Sequence, residues 1–243
     1  MQNRNAYIGM NVETLFKNSI GDHPSAIRAI RTKYNLEGRF LNAIKSGIHG
    51  EKNDVKIEFA CGHNIDANIK AYKRASAFNQ LTRTSSSRFC EIFNINESDK
   101  EELEFLITNK AADARNNLLF PYSYQKKWRA FFENNVDDII AWAFSYKRSR
   151  EIMVLYDRDQ SIFRIYPMAE TLKKLNKEIV FTPKGNIKIG ECVSFQRKGG
   201  NGKMSRTIPK TSIKHPGNNI QLKLRGLKFV ELMEDIKLAQ YLV

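Results

Sequence analysis

The sequence predicts an α+β (mixed α/β) protein in which helices flank a central mixed sheet. Short segments that alternate polar and apolar residues predict strands, and longer segments with apolar residues three or four apart predict helices. The chain has 243 residues, of which 42% are hydrophobic, and it is therefore long enough to bury a substantial core. We expect one domain over residues 1–243.

The strand signal is strongest over about 54–72. Residues 54–60 alternate polar and apolar, Cys61-Gly62-His63-Asn64 supplies a turn, and residues 65–72 form the return strand of a hairpin. Further strands are predicted at 151–156, at 161–166, near 186–197 and at 219–225.

Helices account for most of the remaining chain. Ser98-Asp99-Lys100-Glu101 resembles a capping box and predicts an acidic helix that ends near Asn109. A longer helix with a core of aromatic residues is expected from Tyr124 to about Tyr146. The other predicted helices are at 24–46, with Pro24 near its start, from about Ala75 to Phe93, at 168–176, and at 228–241.

Hydropathy and cysteine usage predict a cytoplasmic protein. No apolar run approaches the roughly 20 residues that span a membrane, and the N-terminus lacks a signal-peptide pattern. Three cysteines, Cys61, Cys90 and Cys192, are widely spaced and form no CxxC pair. We therefore expect free thiols in a reducing compartment and no zinc site.

Positive charge is concentrated in one part of the chain. The net charge is +14, and between Lys184 and Lys228 eleven lysines and arginines accompany a single acid, Glu191. A second acid-free stretch covers residues 68–88, whereas residues 97–105 are acidic. This segregation predicts a nucleic-acid binder. A surface that basic residues merely solubilise would have interspersed acids, and a membrane-binding segment would be an amphipathic helix.

The spacing of Asp54, Asn68 and Lys70 suits a metal-dependent nuclease. Side chains two apart on a strand share a face, so Asn68 and Lys70 project together and Asp54 can approach them in the hairpin. Asp54 offers a carboxylate oxygen and Asn68 a neutral carbonyl oxygen to Mg²⁺. Lys70 can orient an attacking water. The alternative is a solvated edge hairpin with ordinary polar residues.

A basic, glycine-rich loop and the strand that follows it predict base recognition. The loop runs from Gln196 to Lys203, and its glycines allow the backbone to approach a partner closely. Arginine and lysine can bind guanine, and glutamine can bind adenine. On the next strand Asn219, Gln221 and Lys223 alternate and form one polar row. The alternative is a plain solvent-facing strand.

Together these segments resemble the type II restriction endonucleases of the MspI and HinP type, in the PD-(D/E)xK nuclease superfamily. The resemblance covers about half of the chain. Its four blocks are Asp54 with Asn68-Ile69-Lys70, then Ala77-Phe78-Asn79-Gln80, then TPKGNIKIGECVSFQRKGG at 182–200, and finally NNIQLK at 218–223.

The resemblance implies a bacterial, cytoplasmic enzyme with a PD-(D/E)xK core, which cuts double-stranded DNA at short GC-rich sites and leaves 5′-phosphate and 3′-hydroxyl ends. It implies catalysis by Asp54, Asn68 and Lys70, with Mg²⁺ bound by Asp54, Asn68 and the backbone carbonyl of Ile69. A cognate DNA methyltransferase would protect the host genome. The resemblance also implies a catalytic hairpin at about 54–72 and a DNA-recognition segment at about 184–225. Three of the residues expected to contact DNA follow the hairpin, namely Lys73, Arg74 and Gln80. The others lie in the recognition segment: Gln196, Arg197, Lys198, Lys203, Arg206, Asn219, Gln221, Lys223 and Arg225.

Three regions depart from the resemblance and leave alternatives open. The loop from Lys203 to Gly217 is longer than its HinP-type counterpart, so the exact recognition sequence is left open. Before Asp54 the match is poor, so a further carboxylate from Glu13 or Glu37 is unassigned. The helix at 228–241 follows the last block and is a candidate surface for a homodimer or a related second subunit, or else it packs on its own core. The alternative functions are one subunit of a heterodimeric restriction enzyme, a structure-specific repair nuclease, and a non-catalytic DNA-binding protein.

Overall fold

The computed structural model describes residues 4–46, 54–74, 79–147, 150–200 and 207–243. Its helices are α1 (Arg4–Ser19), α2 (Pro24–Lys33), α3 (Ser86–Ile92), α4 (Glu97–Ala112), α5 (Tyr122–Ala143), α6 (Met168–Lys174) and α7 (Gly226–Leu232). Its strands are β1 (Phe40–Lys45), β2 (Val55–Phe59), β3 (Asn64–Tyr72), β4 (Asn79–Thr84), β5 (Glu151–Asp157), β6 (Ile162–Pro167), β7 (Ile179–Phe181), β8 (Ile187–Ile189), β9 (Val193–Arg197), β10 (Ile220–Leu224) and β11 (Ala239–Leu242). The predicted mixed α+β class is confirmed.

The chain divides into two compact units, and the prediction of a single domain stays a prediction. The first unit comprises Met1–Asn79, Phe144–Leu175 and Gly226–Val243. The second unit comprises Gln80–Ala143 and Asn176–Arg225.

The first unit is built on a six-stranded sheet with the order β1-β2-β3-β5-β6-β11. Strands β3 and β5 are parallel, and the other neighbours are antiparallel. One face of the sheet is apolar and packs with α1 and α2 in a core that includes Phe16, Ile20, Ile30, Ile57 and Ile69. Because strand side chains alternate between faces, Asn68 and Lys70 lie on the face opposite to Ile69.

The second unit is built on a five-stranded sheet with the order β4-β10-β9-β8-β7. Its apolar face packs against helices α3 and α5 through aromatic side chains. Phe195 on β9 has ring contacts with Phe89 at 5.4 Å, Phe120 at 6.1 Å and Phe132 at 4.9 Å between centroids. The aromatic residues of the predicted 124–146 helix therefore include core residues, as expected, and that helix is α5.

The hairpin predicted at 54–72 is confirmed, since β2 and β3 pair antiparallel with Val55 opposite Ala67. The helix predicted over 24–46 is wrong in its second half. Helix α2 begins at Pro24 but ends at Lys33, because Asn35 and Gly38 adopt positive φ angles of 49° and 87°. The chain then forms β1, which pairs with β2.

Three other predicted elements differ from the structure. The helix predicted from Ala75 to Phe93 is strand β4 followed by α3, whose start is capped by Ser85; residues 75–78 lie outside the described residues. The strand predicted at 186–197 is two antiparallel strands, β8 and β9, because Gly190 turns the chain with φ 55°. Helix α4 is capped by Asn96, whose Oδ1 accepts the Asp99 N–H at 2.9 Å, and not by Ser98.

The helix predicted at 228–241 is also incorrect. Helix α7 ends at Leu232, a 3-10 turn follows at Glu234–Ile236, and β11 then pairs antiparallel with β6. Pairing with β6 at the edge of the first sheet gives the backbone N–H and C=O groups of this segment hydrogen-bond partners. Tyr241 packs into the core of the first unit. In the part of the chain that is described, no helix is long and apolar enough to cross a membrane.

Candidate functional site

Asp54 lies at the end of the β2–β3 hairpin in the first unit. Its backbone N–H donates to the Ala67 carbonyl at 3.1 Å. Its carboxylate Oδ2 accepts the backbone N–H of Ile69 at 2.6 Å. Strand β2 begins one residue later, at Val55. The Asp54 carboxylate therefore accepts a backbone N–H of β3 just beyond the end of the β2–β3 pairing. Asp54 is therefore held between the Asn68 and Lys70 positions.

Asn68 is buried, with 3% of its surface exposed, on a strand that is central to the sheet. Its side-chain Nδ2 donates to the backbone carbonyl of Phe144 at 2.6 Å. Its Oδ1 atom is buried and has no hydrogen-bond partner among the described residues. A buried, unpaired carbonyl oxygen is costly, and a native site with one requires an explanation.

Lys70 lies on the same strand face as Asn68 and approaches Asp54. The Lys70 Nζ atom is 3.9 Å from Asp54 Oδ2, and each of the two side chains is 21% exposed. The pair is therefore loosely held and open to solvent, which leaves room for a water molecule beside the ammonium group.

These groups form a suitable set of ligands for Mg²⁺. In a strand, the N–H and C=O of one residue point to the same neighbour, so the Ile69 carbonyl is directed toward the side on which Asp54 lies. The unpaired Asn68 Oδ1 supplies a second oxygen, and a carboxylate with neutral carbonyl oxygens suits a hard cation. No cluster of three or more His, Cys, Asp or Glu side chains that could hold a metal occurs in the described ranges.

The two carboxylates left open in the N-terminal region have different environments. Glu13 on α1 pairs with Lys45, at 3.4 Å between Oε2 and Nζ, and Lys45 stands opposite Val55 in the β1–β2 pair. Glu37 is exposed in the segment between α2 and β1. The Glu13 carboxylate is thus held by Lys45 near the end of β2 that follows Asp54. Glu37 lies in neither a helix nor a strand.

Arg74, expected to contact DNA, participates in an internal network of the first unit. Its Nε donates to the buried Asp157 at 3.1 Å, and its backbone N–H donates to Asp159 at 2.7 Å. Tyr72 also donates to Asp157, at 2.8 Å, and Arg164 lies 3.5 Å from the same carboxylate. Lys73, by contrast, is exposed.

The second unit has a polar sheet face opposite its aromatic core. On β10 the side chains of Gln221 and Lys223 alternate with the buried Leu222 and Leu224. In the β9–β10 pair Gln221 stands opposite Gln196, and Lys223 stands opposite Ser194. Gln196, Gln221 and Lys223 therefore share one face, as predicted for the last two.

Gln80 joins this face from the neighbouring strand β4. Gln221 Nε2 donates to Gln80 Oε1 at 2.7 Å, and Gln221 is only 7% exposed. Lys223 is partly buried, and burial lowers the pKa of its ammonium group without an opposing carboxylate. The structure thus brings Gln80 into contact with Gln221, which lies 141 residues later in the chain, and Lys223 shares the sheet face of Gln221.

Arg197 lies on the opposite face from this group, because it follows Gln196 on the same strand. Its Nε donates to Asn218 Oδ1 at 2.6 Å. Burial lowers its pKa. The neighbouring Lys198 also has a lowered pKa, through burial first and then through the charges of Arg83 and Arg197. Arg197 and Gln196 therefore do not form one continuous row.

Two other residues expected to contact DNA, Asn219 and Arg225, lie at the two ends of β10. Asn219 precedes β10, and its carbonyl accepts the Lys198 N–H at 2.8 Å. Arg225 follows β10, and its N–H donates to the Cys192 carbonyl at 2.8 Å. Lys203 and Arg206 lie outside the described residues.

Sequence reasoning missed the Phe144 carbonyl, which holds the Asn68 side chain. The two residues are 76 positions apart, and a backbone carbonyl leaves no signal in the amino-acid type. It also missed the position of Arg197 on the helix-facing side, because Arg197 was treated as part of the basic loop from Gln196 to Lys203, whereas it ends β9 and lies on the same face as Phe195.

Comparison with solved structures shows a fold similar to that of the restriction endonuclease MspI in a crystal structure in complex with its cognate DNA. The TM-score is 0.52 at 12% sequence identity, and the match covers 87% of this chain and 82% of that chain. This similarity shows a restriction-endonuclease-like fold. Comparisons with protein-family models and with curated protein sequences gave no match.

Proposed function

We propose that this protein is a Mg²⁺-dependent type II restriction endonuclease of the MspI and HinP type, within the PD-(D/E)xK superfamily. Its substrate is double-stranded DNA with short GC-rich sites, and its products have 5′-phosphate and 3′-hydroxyl ends. It works in a bacterial cytoplasm beside a cognate DNA methyltransferase, because unprotected host DNA would otherwise be cut.

The observation that supports this proposal most strongly is the geometry at the end of the catalytic hairpin. The Asp54 carboxylate is fixed by the Ile69 N–H, and it lies 3.9 Å from the Lys70 ammonium group. The buried and unpaired Oδ1 of Asn68 is on the same strand face as Lys70. An incidental solvated hairpin would not bury an unpaired amide oxygen. This geometry occurs in a fold similar to that of an endonuclease solved with DNA.

In the proposed reaction Lys70 orients a water molecule and increases its acidity through its positive charge. The water oxygen bonds to the scissile phosphorus in line while the P–O3′ bond breaks. The water loses a proton to solvent, and the departing 3′-oxygen takes up a proton from solvent. Asp54 lies 3.9 Å from Lys70 and keeps a carboxylate at the strand end. Asp54, Asn68 and the Ile69 carbonyl would hold Mg²⁺, which when bound supplies charge stabilisation to the phosphate oxygens.

Site recognition is assigned to the polar face of the second unit. Gln80, Gln196, Gln221 and Lys223 offer the donors and acceptors that distinguish base edges in a major groove. Lys73, Lys198, Lys203, Arg206, Asn219 and Arg225 are proposed to contact DNA around them. Arg74 and Arg197 are bound within the protein by Asp157 and Asn218, so their proposed DNA contacts use their remaining N–H groups.

The test is cleavage of supercoiled plasmid by the Lys70→Ala variant. We expect cleavage to fall by about 100-fold or more, because general acid–base assistance is lost. Duplex binding, measured with Ca²⁺ in place of Mg²⁺, should change little. Lys56→Ala is the matched control, since Lys56 lies on the same sheet face opposite Asp66 and makes the same charge change. Equal cleavage by the Lys70 variant and the wild type would refute the assignment.

The C-terminal segment is proposed as the contact surface for a homodimer or a related second subunit. Leu227 on α7 and Leu242 on β11 are exposed apolar side chains, with Leu242 67% exposed. Strand β11 is also an edge strand of the first sheet. Sedimentation of the wild type and of a Leu242→Lys variant would test this proposal, since an interface there would be lost in the variant.

A further inference from the structure

A cavity of about 330 Å³ lies in the second unit, beside the C-terminal end of α4. Its charged lining residues are three cations and one acid: Arg115, Arg197, Lys210 and Asp113. The buried His215 completes the polar lining. Arg197 faces the helices here, so the cavity lies on the opposite side of the sheet from Gln196 and Gln221.

His215 presents an unpaired hydrogen-bond donor. Its Nδ1 accepts the backbone N–H of Gly217 at 3.0 Å, so the ring proton of the neutral imidazole is on Nε2. The residue is 1% exposed, and Nε2 has no partner among the described residues. A buried N–H group without an acceptor is costly, which indicates that an acceptor binds there.

Arg197 is held in place for a ligand. Its Nε donates to Asn218 Oδ1 at 2.6 Å, and Asn218 Nδ2 donates in turn to the carbonyls of Lys210 at 2.8 Å and Ser212 at 2.7 Å. Burial is what lowers the pKa of Arg197, and none of the described carboxylates opposes that shift. The guanidinium group is thus oriented, partly desolvated and not neutralised.

The acid in the lining, Asp113, offsets only one of the three positive charges. Asp113 is occupied by its own turn, where its carboxylate accepts the N–H groups of Arg115 and Asn116 at 3.1 Å and the Asn116 Nδ2 at 2.7 Å. Nearby, the pKa of Lys110 is lowered by burial first and then by the positive charges of Lys184 and Arg197, and the charge of Asp113 opposes this shift only in part. The environment is therefore positive beyond the lining residues themselves.

We propose that this cavity binds a phosphate group, with Arg115, Arg197 and Lys210 as its counter-charges and His215 Nε2–H as a fixed donor. The three cations and one carboxylate leave a surplus of two positive charges, which is sufficient for the single charge of a phosphodiester or the two charges of a free phosphate dianion. Bidentate arginine and N–H donors are the groups that recognise phosphate oxygens. The phosphate belongs either to the DNA backbone or to a free phosphorylated ligand.

The test uses inorganic phosphate and the ¹⁵N signals of the four histidines, in full-length protein without Mg²⁺ or DNA. At constant ionic strength, phosphate but not chloride should shift the His215 imidazole signals. Arg115→Ala/Lys210→Ala should weaken that binding by about tenfold or more, and both residues are exposed, so the variant should fold. Lys126→Ala/Lys188→Ala removes two exposed cations elsewhere in the unit and should leave the binding unchanged.

Duplex DNA then distinguishes the two sources. A backbone phosphate requires that duplex displaces inorganic phosphate from His215. It also requires that the double variant, which loses this one phosphate contact, reduces the slope of log affinity against log salt by about 1. A free ligand requires that duplex leaves the His215 signals unchanged. The proposal is overturned if millimolar phosphate does not shift the His215 signals, or if the Arg115/Lys210 variant binds phosphate as tightly as the wild type. No cleavage is measured, so this failure would not affect the proposed nuclease activity.

Discussion

The side-chain amide of Asn68 is held at only one of its two ends. The Phe144 carbonyl accepts a hydrogen bond from Nδ2 and thereby fixes which end of the amide is nitrogen, and Oδ1 is left unpaired. A carboxylate at this position would place an oxygen against the Phe144 carbonyl oxygen, without a proton between them. The local structure therefore selects an amide, and the metal site we propose contains one side-chain carboxylate, Asp54.

The variant Asn68→Asp tests this selection in the absence of metal. We expect it to lower the free energy of unfolding by about 3 kcal/mol, because it replaces a hydrogen bond with a buried, unpaired charge. Urea denaturation in the presence of a chelator measures the loss. Asn64→Asp makes the same change at an exposed position on the same strand and should cost little. An Asn68→Asp protein as stable as the wild type would show that Phe144 does not select the amide.

At the scale of elements, β4 and β10 bring Gln80 and Gln221 into one hydrogen-bonded pair. The bond fixes the Gln221 amide and leaves its Oε1 and the remaining N–H groups of the pair for base edges. The base recognition that we propose for these two glutamines depends on both strands. Neither strand can supply it alone.

Gln221→Ala should therefore weaken discrimination between bases more than it weakens overall binding. We expect the ratio of cleavage at the preferred site to cleavage at single-base variants of that site to fall by about 10- to 100-fold, or 1–3 kcal/mol. Gln80→Ala should also lower this ratio. The loss in the Gln80→Ala/Gln221→Ala double variant should be smaller than the sum of the losses in the two single variants. Gln240→Ala, an exposed glutamine on β11, is the control. An unchanged ratio in Gln221→Ala would remove this residue from the recognition face.

The ends of β3 and β5 are joined by the buried carboxylate of Asp157. Burial alone would raise its pKa, but hydrogen bonds from Tyr72, Arg74 and two backbone N–H groups lower it below the usual value. Burial and the same hydrogen bond raise the pKa of Tyr72 to about 12. The ionised carboxylate therefore stabilises the folded first unit.

Asp157→Asn should lower the free energy of unfolding by about 3–5 kcal/mol at neutral pH. Because the folded-state pKa is depressed, the contribution of the charge is fully present above the unfolded pKa of about 3.9 and is lost as pH falls below it. The difference between variant and wild type should thus shrink in acid, as measured by denaturation across pH. Asp137→Asn, at an exposed ion pair with Lys177, should cost less than about 1 kcal/mol. A difference that is independent of pH would contradict this account.

For the whole molecule, the sequence predicts those parts of the fold in which polar and apolar residues alternate along a strand. The hairpin of β2 and β3, and the shared face of Gln221 and Lys223, were predicted because neighbouring side chains on a strand have a period of two. The functional roles of Asp54, Asn68 and Lys70 stay predictions.

Features determined by distant residues were not predictable from local patterns. The 24–46 and 228–241 segments have apolar residues at helical spacing, yet β1 and β11 form because the two edges of the first sheet offer them backbone partners. The parallel pairing of β3 with β5, which places Phe144 beside Asn68, joins segments far apart in the chain. Loop closure over such distances has no local sequence signature.

The most direct test of the central claim is digestion of unmethylated phage DNA with and without Mg²⁺, followed by sequencing of the fragment ends. The account predicts discrete fragments that share a short GC-rich sequence, have 5′-phosphate ends, and disappear when Mg²⁺ is removed. Intact DNA under all conditions, or fragments whose ends share no sequence, would contradict it.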